Sequence, residues 1–376
     1  MTENEHDDRI LDRLVALTRD LILIPSIPSR PEDRRRCYEF VRNHLEAIEN
    51  VEVFEYEHHG IPSLVAMPVN VREPEVLMCG HLDVITHPDV YSYRSYIEDG
   101  KIYGPGAGDM KGALAIMLEI LRDFHTKHPG VSLGLAVTAD EETGGKAGIG
   151  YLFGNTNLRC GAALIPDGGS LNEITIEEKG ILHIKIRCQG RAAHAARPWL
   201  GDNPIEKLMD RLSNLQKYFS SFKRDEDHWF PTCSITIIGT ENQTINRVPS
   251  NCEAICDIRF PSPFTIQEIM DKTREVLGAD VEIEVVISAE PTHLSPDPLY
   301  QQVTEEITGE PAALVREHGG SDARFIYAGG VPIMMSRPIV GNLHAENEWI
   351  NIQSMIKYYR IYEKYLTIKL LKKSKS

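Results

Sequence analysis

The chain has 376 residues, 42% of them hydrophobic and 25% charged, and a formal net charge of −15. A chain of this length favours two domains over one. The acidic balance argues against nucleic acid or an anionic membrane surface as the main partner, because both require basic patches on the protein.

The N-terminal half alternates helical patterns with strands that are almost continuously apolar. One stripe at helical spacing comprises Ile10, Leu14, Leu17, Leu21 and Ile24. A further helix is predicted from Met110 to Phe124. The apolar runs at 76–84, 133–139 and 162–166 are typical of strands covered on both faces. This alternation predicts an α/β domain with a mostly parallel sheet sandwiched by helices.

The pattern changes near Lys179, where apolar and polar residues begin to alternate as in a sheet with one solvated face. A helix follows, with Asn203 as its N-cap and Pro204 at its first position. The remaining predicted elements are strands at 233–239 and 251–260, a helix at 264–277 and a strand at 281–287. The order β-α-β-β-α-β predicts a ferredoxin-like unit.

Alternating α/β character resumes after Pro291. The predicted elements are helix 297–307, strand 311–316, helix 321–328, strand 332–336 and a long helix from Ile350 to Leu371. We therefore predict a catalytic domain formed by residues 1–179 and 291–376, with residues 180–290 inserted into it as a smaller domain.

The cysteines and the N-terminus bear on the cellular compartment. Seven scattered cysteines without a C-x-x-C pair indicate reduced thiols rather than a disulfide framework or a zinc ribbon. The acidic N-terminus lacks the basic start and apolar stretch of a signal peptide. No apolar segment of the sequence is long enough to cross a bilayer. We therefore expect a cytoplasmic protein.

Acidic residues and a histidine follow three of the predicted buried strands. Glu141 and Glu142 come after the second strand, His81 and Asp83 lie at the end of the first, and Asp167 follows the third. Adjacent like charges at the end of a buried strand are costly unless a cation offsets them. The carboxyl ends of parallel strands share one edge of the sheet, so these side chains should lie close together. Histidine and carboxylates gathered at one edge can hold a cation, and the sequence therefore predicts a metal-dependent hydrolase.

Each candidate ligand also has a simpler interpretation when taken alone. His81 could be a core histidine, although the spacing lets Asp83 accept a hydrogen bond from its ring. Asp109, in the glycine-dense loop Tyr103–Gly112, could be a helix N-cap or could bridge two cations. His344 alone would be an ordinary loop histidine.

Glu141 and Glu142 would point in opposite directions if their strand continued. One could then bind a metal, while the other would take a proton from the water that the metal activates and deliver it to the leaving amine. A solvated loop is the alternative, but it does not explain the Gly144-Gly145 that follows.

Seven motifs in order along the chain carry a family resemblance: GHLDV, YGPGAGDMKG, ADEETGG, PDGGS, EKG, GRAAHAARPWLGDNP and LHAENE. Together they resemble the co-catalytic zinc amidohydrolases that include succinyl-diaminopimelate desuccinylase, acetylornithine deacetylase, carboxypeptidase G and several di- and tripeptidases. The resemblance implies two Zn²⁺ ions, for which Co²⁺ or Mn²⁺ can substitute. It implies the following roles: His81 and Asp167 on one ion, Glu142 and His344 on the other, Asp109 bridging them with a cis peptide after it, Asp83 orienting His81, and Glu141 as general base and acid.

The same resemblance assigns roles to the inserted domain, which corresponds to the family's dimerisation or lid domain. His194 resembles the histidine that enters the active site of the partner subunit and polarises the scissile carbonyl. The residues that match substrate-binding positions are Lys179 in EKG, Asn246, Arg259, and Gly320 and Ser321 in the Gly319-Gly320-Ser321 turn. Arg259 could equally be a solvated strand residue paired with Asp257.

These residues lead to one main functional hypothesis and three alternatives. We expect hydrolysis of the amide bond of a small N-acyl amino acid by a homodimer. A dipeptidase or carboxypeptidase on the same machinery is favoured by Asp167, because the desuccinylases and deacetylases usually have Glu there. A two-metal phosphoesterase would need more cationic groups near the ligands, and a non-enzymatic metal-binding protein would not need a base at Glu141.

Overall fold

The computed structural model describes residues 3–86, 93–224, 226–327 and 330–372. The chain divides into two compact units. Unit 1 comprises Met1–Ile176, His293–Glu317 and Ser321–Ser376, and unit 2 comprises Glu177–Thr292 with His318–Gly320. These divisions lie within three residues of the predicted ones at 179/180 and 290/291, except for the short return of 318–320 to unit 2.

The chain up to Glu178 contains four α-helices and eight strands among its described residues. They are α1 Glu3–Ile22, α2 Pro31–Glu46, β1 Val51–His58, β2 Ile61–Pro68, β3 Val76–His81, β4 Tyr96–Glu98, β5 Lys101–Tyr103, α3 Gly112–Lys127, β6 Leu133–Thr138, α4 Ile149–Asn155, β7 Ala163–Ile165 and β8 Glu173–Glu178. Every residue of β3, β6 and β7 is buried, as the apolar runs predicted.

The next segment forms most of unit 2. Its elements are β9 Gly180–Gln189, β10 Ala193–His194, α5 Pro204–Ser220, β11 Thr232–Gly239, β12 Arg247–Val248, β13 Asn251–Phe260, α6 Ile266–Leu277, β14 Val281–Ala289 and β15 Thr292–His293. The four long strands form a sheet in the order β11-β13-β9-β14, in which each pair is antiparallel. The predicted N-cap is confirmed, because the Asn203 side chain accepts a hydrogen bond from the Ile205 N–H and Pro204 begins α5.

The C-terminal segment returns to unit 1. Its elements are α7 Pro298–Thr308, β16 Ala313–Glu317, α8 Ala323–Tyr327, β17 Ile333–Met335, β18 Val340–Gly341, β19 Trp349–Asn351 and α9 Ile352–Leu366, which continues as a helical turn over Thr367–Leu371. Two smaller sheets have the orders β18-β19-β5-β4 and β15-β8-β16. None of the helices in the described part of the chain combines the length and the apolar run needed to cross a bilayer.

The main sheet of unit 1 is mixed: the strands β6, β3, β7 and β17 form the parallel part that was predicted, and an antiparallel part is added to it. Its order is β1-β2-β6-β3-β7-β17, and β3 pairs in parallel with β6 and β7 while β17 pairs in parallel with β7. The unexpected antiparallel part is the β1–β2 hairpin, in which β2 also pairs antiparallel with β6. His59 and Gly60 close the hairpin with φ of 49° and 74°. Two positive φ values are typical of the tight turn that matches the twist of a hairpin. The parallel strands β3, β6 and β7 nevertheless place their carboxyl ends together at one edge.

Candidate metal centre

Two groups of side chains in unit 1 could each hold a metal ion. The first group is His81, Glu141 and Asp167, and the second is Asp109, Glu142 and His344; within each group the candidate ligand atoms lie within 4.8 Å of one another. His81 ends β3, whereas Glu141 and Asp167 follow β6 and β7 within three residues. The parallel pairing of these strands brings together side chains that are far apart in sequence.

Asp109 belongs to the second group and also contacts His81 of the first. Its Oδ1 is 3.2 Å from Nε2 of His81, and its Oδ2 is 3.3 Å from Nε2 of His344. The His344 Nε2 also lies 3.3 Å from Oε2 of Glu142. One carboxylate therefore directs its two oxygens to two different sets of ligand atoms. The predicted cis peptide after Asp109 is confirmed at Asp109–Met110.

Asp83 contacts His81 differently from the prediction. The His81 Nδ1 lies 3.0 Å from the backbone oxygen of Asp83, while the nearer carboxylate oxygen is 3.6 Å away, beyond hydrogen-bonding distance. The carboxylate instead accepts hydrogen bonds from the backbone N–H groups of Glu141, at 3.3 Å, and Glu142, at 3.1 Å. The prediction assumed that the strand continued to Asp83, but β3 ends at His81, and beyond it the Asp83 carbonyl rather than the carboxylate faces the ring.

The two adjacent glutamates separate for a reason other than strand alternation. β6 ends at Thr138, and Glu141–Thr143 form a short 3₁₀ turn. The turn still sends the two carboxylates into different groups, Glu141 towards His81 and Glu142 towards His344. Gly145, with φ of 63°, follows the turn, and a Cβ on it would lie 2.2 Å from Oδ1 of Asp322, so this position requires glycine.

The residues present fit a pair of divalent cations. Nε2 of His81 is buried without a hydrogen-bond partner among the described residues, although it faces Asp109. Burial and the neighbouring charges of Asp109 and Glu141 raise the pKa of Asp167 well above its ordinary value. Burial likewise raises the pKa of Glu141, with Asp322 and Glu142 adding to the effect. Carboxylates and imidazoles that crowd together in this way are the ligands of Zn²⁺ and related cations.

The predicted substrate-binding residues are placed as follows. Lys179, Asn246, Arg259 and Gly320 belong to unit 2, and Ser321 belongs to unit 1. The Arg259 guanidinium donates from Nε and Nη2 to both oxygens of Asp257, at 2.7 and 3.1 Å. This is the pairing that the sequence offered as the alternative to substrate binding.

Lys179 and Ser321 are also engaged within the chain. The Lys179 ammonium donates to the backbone oxygens of His228, at 2.7 Å, and Phe230, at 3.0 Å. Burial lowers the pKa of Lys179 to about 8. The Ser321 hydroxyl accepts from the N–H of Ala323. Binding of substrate by these two side chains stays a prediction.

His194 lies on the exposed strand β10 of unit 2, which pairs with β12. Its Nδ1 accepts a hydrogen bond from the N–H of Ala196 at 3.0 Å. A neutral imidazole has one donor and one acceptor nitrogen, so this contact places the proton on Nε2. Asn246 lies on the adjoining loop, where its backbone oxygen accepts from the N–H of Ala195.

Sequence reasoning assigned no role to Glu348 or Lys111, which both hold the loop that carries Asp109. The Glu348 carboxylate accepts three hydrogen bonds from backbone N–H groups of that loop. The buried Lys111 ammonium donates to the backbone oxygens of Leu21 and Ile24 at the end of α1. The glycine density of the loop was the available signal, because closely spaced N–H groups converge on an anion.

Comparisons with known proteins give the family. The model of peptidase family M20/M25/M40 matches residues 77–368, well over half of the chain. The chain is 27% identical, over an alignment 387 positions long, to a succinyl-diaminopimelate desuccinylase from Hahella chejuensis, covering 94% of this chain and 96% of that one. It is 26% identical over 314 residues to a succinyl-diaminopimelate desuccinylase from Alkalilimnicola ehrlichii, covering 77% of this chain and 82% of that one.

A solved structure gives the same fold at lower identity. The M20 family metallo-carboxypeptidase Sso-CP2 from Sulfolobus solfataricus superposes with a TM-score of 0.78 and 17% identity, over 98% of this chain and 99% of the other. The candidate ligands at the strand ends, the mixed sheet and these matches lead to one assignment. The chain belongs to peptidase family M20/M25/M40 and is a metallopeptidase or amidohydrolase that acts on amide bonds.

Proposed function

We propose that this protein hydrolyses the amide bond of small N-acyl amino acids, in the manner of a desuccinylase or deacetylase. The observation that carries the proposal is the position of Asp109, whose two oxygens lie 3.2 and 3.3 Å from the nitrogens of His81 and His344. A carboxylate shared in this way is the arrangement expected of a two-metal hydrolase. The matched relatives named succinyl-diaminopimelate desuccinylase favour an acylated substrate.

The residues that would hold two Zn²⁺ ions are His81 and Asp167 for one ion, Glu142 and His344 for the other, and Asp109 between them. When bound, such ions act as Lewis acids on the scissile carbonyl and lower the pKa of a bound water. The chain's own contribution is the placement of these ligands, because the Asp83 carboxylate holds the backbone N–H groups of Glu141 and Glu142.

Glu141 is the proposed proton carrier. It accepts the proton of the attacking water and later donates it to the leaving amine. Its partial burial among other acids supports this assignment, because such surroundings favour the protonated form that the second step needs. Its place beside His81 and Asp167 also makes it a possible ligand, so metal content must be measured alongside turnover.

A panel of substrates tests the reaction class. Zinc-loaded protein is offered N-succinyl-diaminopimelate, N-acetylornithine, other N-acyl amino acids, simple dipeptides and a phosphate ester, with Glu141→Gln as the blank. Turnover of the acylated compounds that disappears in the blank is the expected result. Equal turnover in the blank would contradict the role of Glu141, and phosphate ester hydrolysis without amide hydrolysis would contradict the reaction class.

The second candidate is a dipeptidase or carboxypeptidase that uses the same site. Asp167 favours it, because Asp at this position is more typical of the family's di- and tripeptidases. The fold shared with a metallo-carboxypeptidase is compatible with it. Hydrolysis of free-amine dipeptides but not of N-acyl amino acids would select this candidate.

We further propose a homodimer in which His194 of one subunit stabilises the oxyanion in the site of the other. The proton on Nε2 makes His194 a hydrogen-bond donor, as this role requires, and its exposure leaves it accessible.

The test mixes two inactive variants, Glu141→Gln and His194→Ala. Each mixed dimer would contain one complete site, so re-equilibrated mixtures should recover about a quarter of wild-type activity. A mixture without recovered activity would place His194 outside the partner's site.

A further inference from the structure

The glycine-rich loop that carries Asp109 surrounds a carboxylate of the chain itself. Glu348 is 2% exposed. Its Oε2 accepts from the N–H of Gly106 at 3.0 Å, and its Oε1 accepts from the N–H groups of Gly108 and Asp109, both at 2.8 Å. Converging backbone N–H groups of this kind form anion-binding concavities in many proteins. Here the anion comes from a residue about 240 positions away in sequence.

The glycines are required by this convergence. Gly106 has φ of 77°, a conformation that side chains rarely adopt. A Cβ on Gly108 would lie 2.7 Å from Cδ2 of Leu343 and 3.0 Å from Cβ of Val340, so the loop could not approach this segment with any larger residue. The close approach brings the loop N–H groups within reach of Glu348.

Strand pairing fixes the register of this contact. β19 pairs antiparallel with β5, and the Gly104 N–H donates to the Glu348 backbone oxygen at 2.9 Å. The ladder therefore leads directly from β5 into the loop, and Glu348 contacts the loop through both its backbone and its side chain. The carboxylate cannot move along the loop without breaking these pairs.

The same segment also carries a candidate metal ligand. His344 lies four residues before Glu348, and its Nε2 is 3.3 Å from Oδ2 of Asp109. Asp109 is therefore linked to this segment twice, through its N–H to Glu348 and through its carboxylate to His344. One short stretch of chain sets the distance between the two ligands.

We propose that Glu348 is a positioning residue for the metal centre, which holds the Asp109 carboxylate at the separation from His344 that two cations require. The inference rests on the two-metal site proposed above, and Glu348 lies outside both candidate ligand groups. Residues that orient metal ligands from outside typically change metal affinity by about 10- to 100-fold when replaced. An effect of this kind on cation binding separates a positioning role from a purely structural one.

The test compares Glu348→Gln with Glu348→Asp and two controls. Glutamine keeps an oxygen for Gly108 and Asp109 but turns an N–H group towards Gly106, whereas aspartate keeps the charge on a shorter side chain. Glu346→Gln is the control for charge, because Glu346 is exposed in the same segment. Ser354→Ala is the control for stability, because Ser354 is buried and bonds Asn351 and Ile339 without a hydrogen bond to the loop.

The first measurement is equilibrium binding of Zn²⁺ and Co²⁺ to metal-free protein, with the Co²⁺ absorption spectrum as the report on ligand geometry. We expect Glu348→Gln to weaken binding of at least one ion about 10- to 100-fold and to alter the spectrum. Glu348→Asp should recover part of the affinity. Glu346→Gln should bind as wild type does, and Ser354→Ala should lower the thermal midpoint without changing the spectrum.

Two results would overturn the inference. Wild-type affinity and spectrum in Glu348→Gln would show that the carboxylate does not position Asp109. If Glu348→Gln lost no more metal affinity than Ser354→Ala, Glu348 would only stabilise the fold. Two-metal binding that depends on Glu348 in a protein that hydrolyses none of the amides would support this inference while contradicting the proposed function.

Discussion

Two acids, Asp257 in unit 2 and Asp167 in unit 1, lie in opposite electrostatic surroundings. In unit 2, burial works against ionisation of Asp257, yet the His183 ring, 3.2 Å away, and the hydrogen bonds from Arg259 hold the pKa of that carboxyl well below its ordinary value. In unit 1, burial and neighbouring acids raise the pKa of Asp167, and His81 and Arg337 oppose this only in part. The chain thus supplies its own cation in unit 2. In unit 1 it leaves a concentration of negative charge that an external cation can satisfy.

The largest expected effect is on turnover in unit 1. Glu141→Gln should lower kcat by about 10²- to 10⁴-fold, because it removes the group that carries the proton. It should keep both metal ions if Glu141 acts only on protons. Turnover and metal content per chain, measured on the same preparation, check this. Loss of one ion would show instead that Glu141 is a ligand beside His81 and Asp167.

Metal removal should destabilise unit 1 and spare unit 2. A cation present at 100-fold its Kd stabilises the state that binds it by about 2.7 kcal/mol. Chelation should therefore increase hydrogen exchange in peptides from β3 and β6, with little change in peptides from β9 and β13. Equal changes in both units would contradict the placement of all the ligands in unit 1.

Acid should weaken unit 2 through Asp257. The folded-state pKa of this carboxyl is depressed, so its stabilising contribution is present above the unfolded value of about 3.9 and is lost as the pH falls below it. Asp257→Asn should cost about 1.5–3 kcal/mol of unfolding free energy at pH 7, since the hydrogen bonds involve charged partners. Urea unfolding at pH 7 and pH 3 should show a smaller loss in the variant than in wild type.

The smallest effect is expected on the solvated face of the same sheet. Arg187 lies 3.2 Å from Glu282 and 2.7 Å from Glu284, but all three side chains are well exposed. Exposed ion pairs contribute little and are screened by salt. Arg187→Gln should therefore change the thermal midpoint by no more than about 2 °C. A larger loss would mean that this face is not free in solution.

Much of the fold could be predicted from the sequence, because the patterns that indicate strands and helices involve residues close together in the chain. Continuous apolar runs predicted β3, β6 and β7, and alternation predicted β9 and β13, since sheets covered on one or two faces need those patterns. The β1–β2 hairpin was missed. Its turn of His59 and Gly60 lacks the usual Asn-Gly or Asp-Gly signal, and therefore the sheet was predicted to be mostly parallel.

The sequence by itself determined which residue types stand at the strand ends, because apolar runs, glycines and clustered acids are patterns among residues that are neighbours in the chain. Only the tertiary structure decided which atoms meet. In the folded chain the Asp83 carbonyl faces His81, and the Asp83 carboxylate accepts hydrogen bonds from the N–H groups of Glu141 and Glu142. Glu348 likewise accepts a hydrogen bond from the N–H of Asp109. These contacts join residues up to about 240 positions apart, and their partners depend on strand pairing and on the points where strands end. Local patterns cannot specify either.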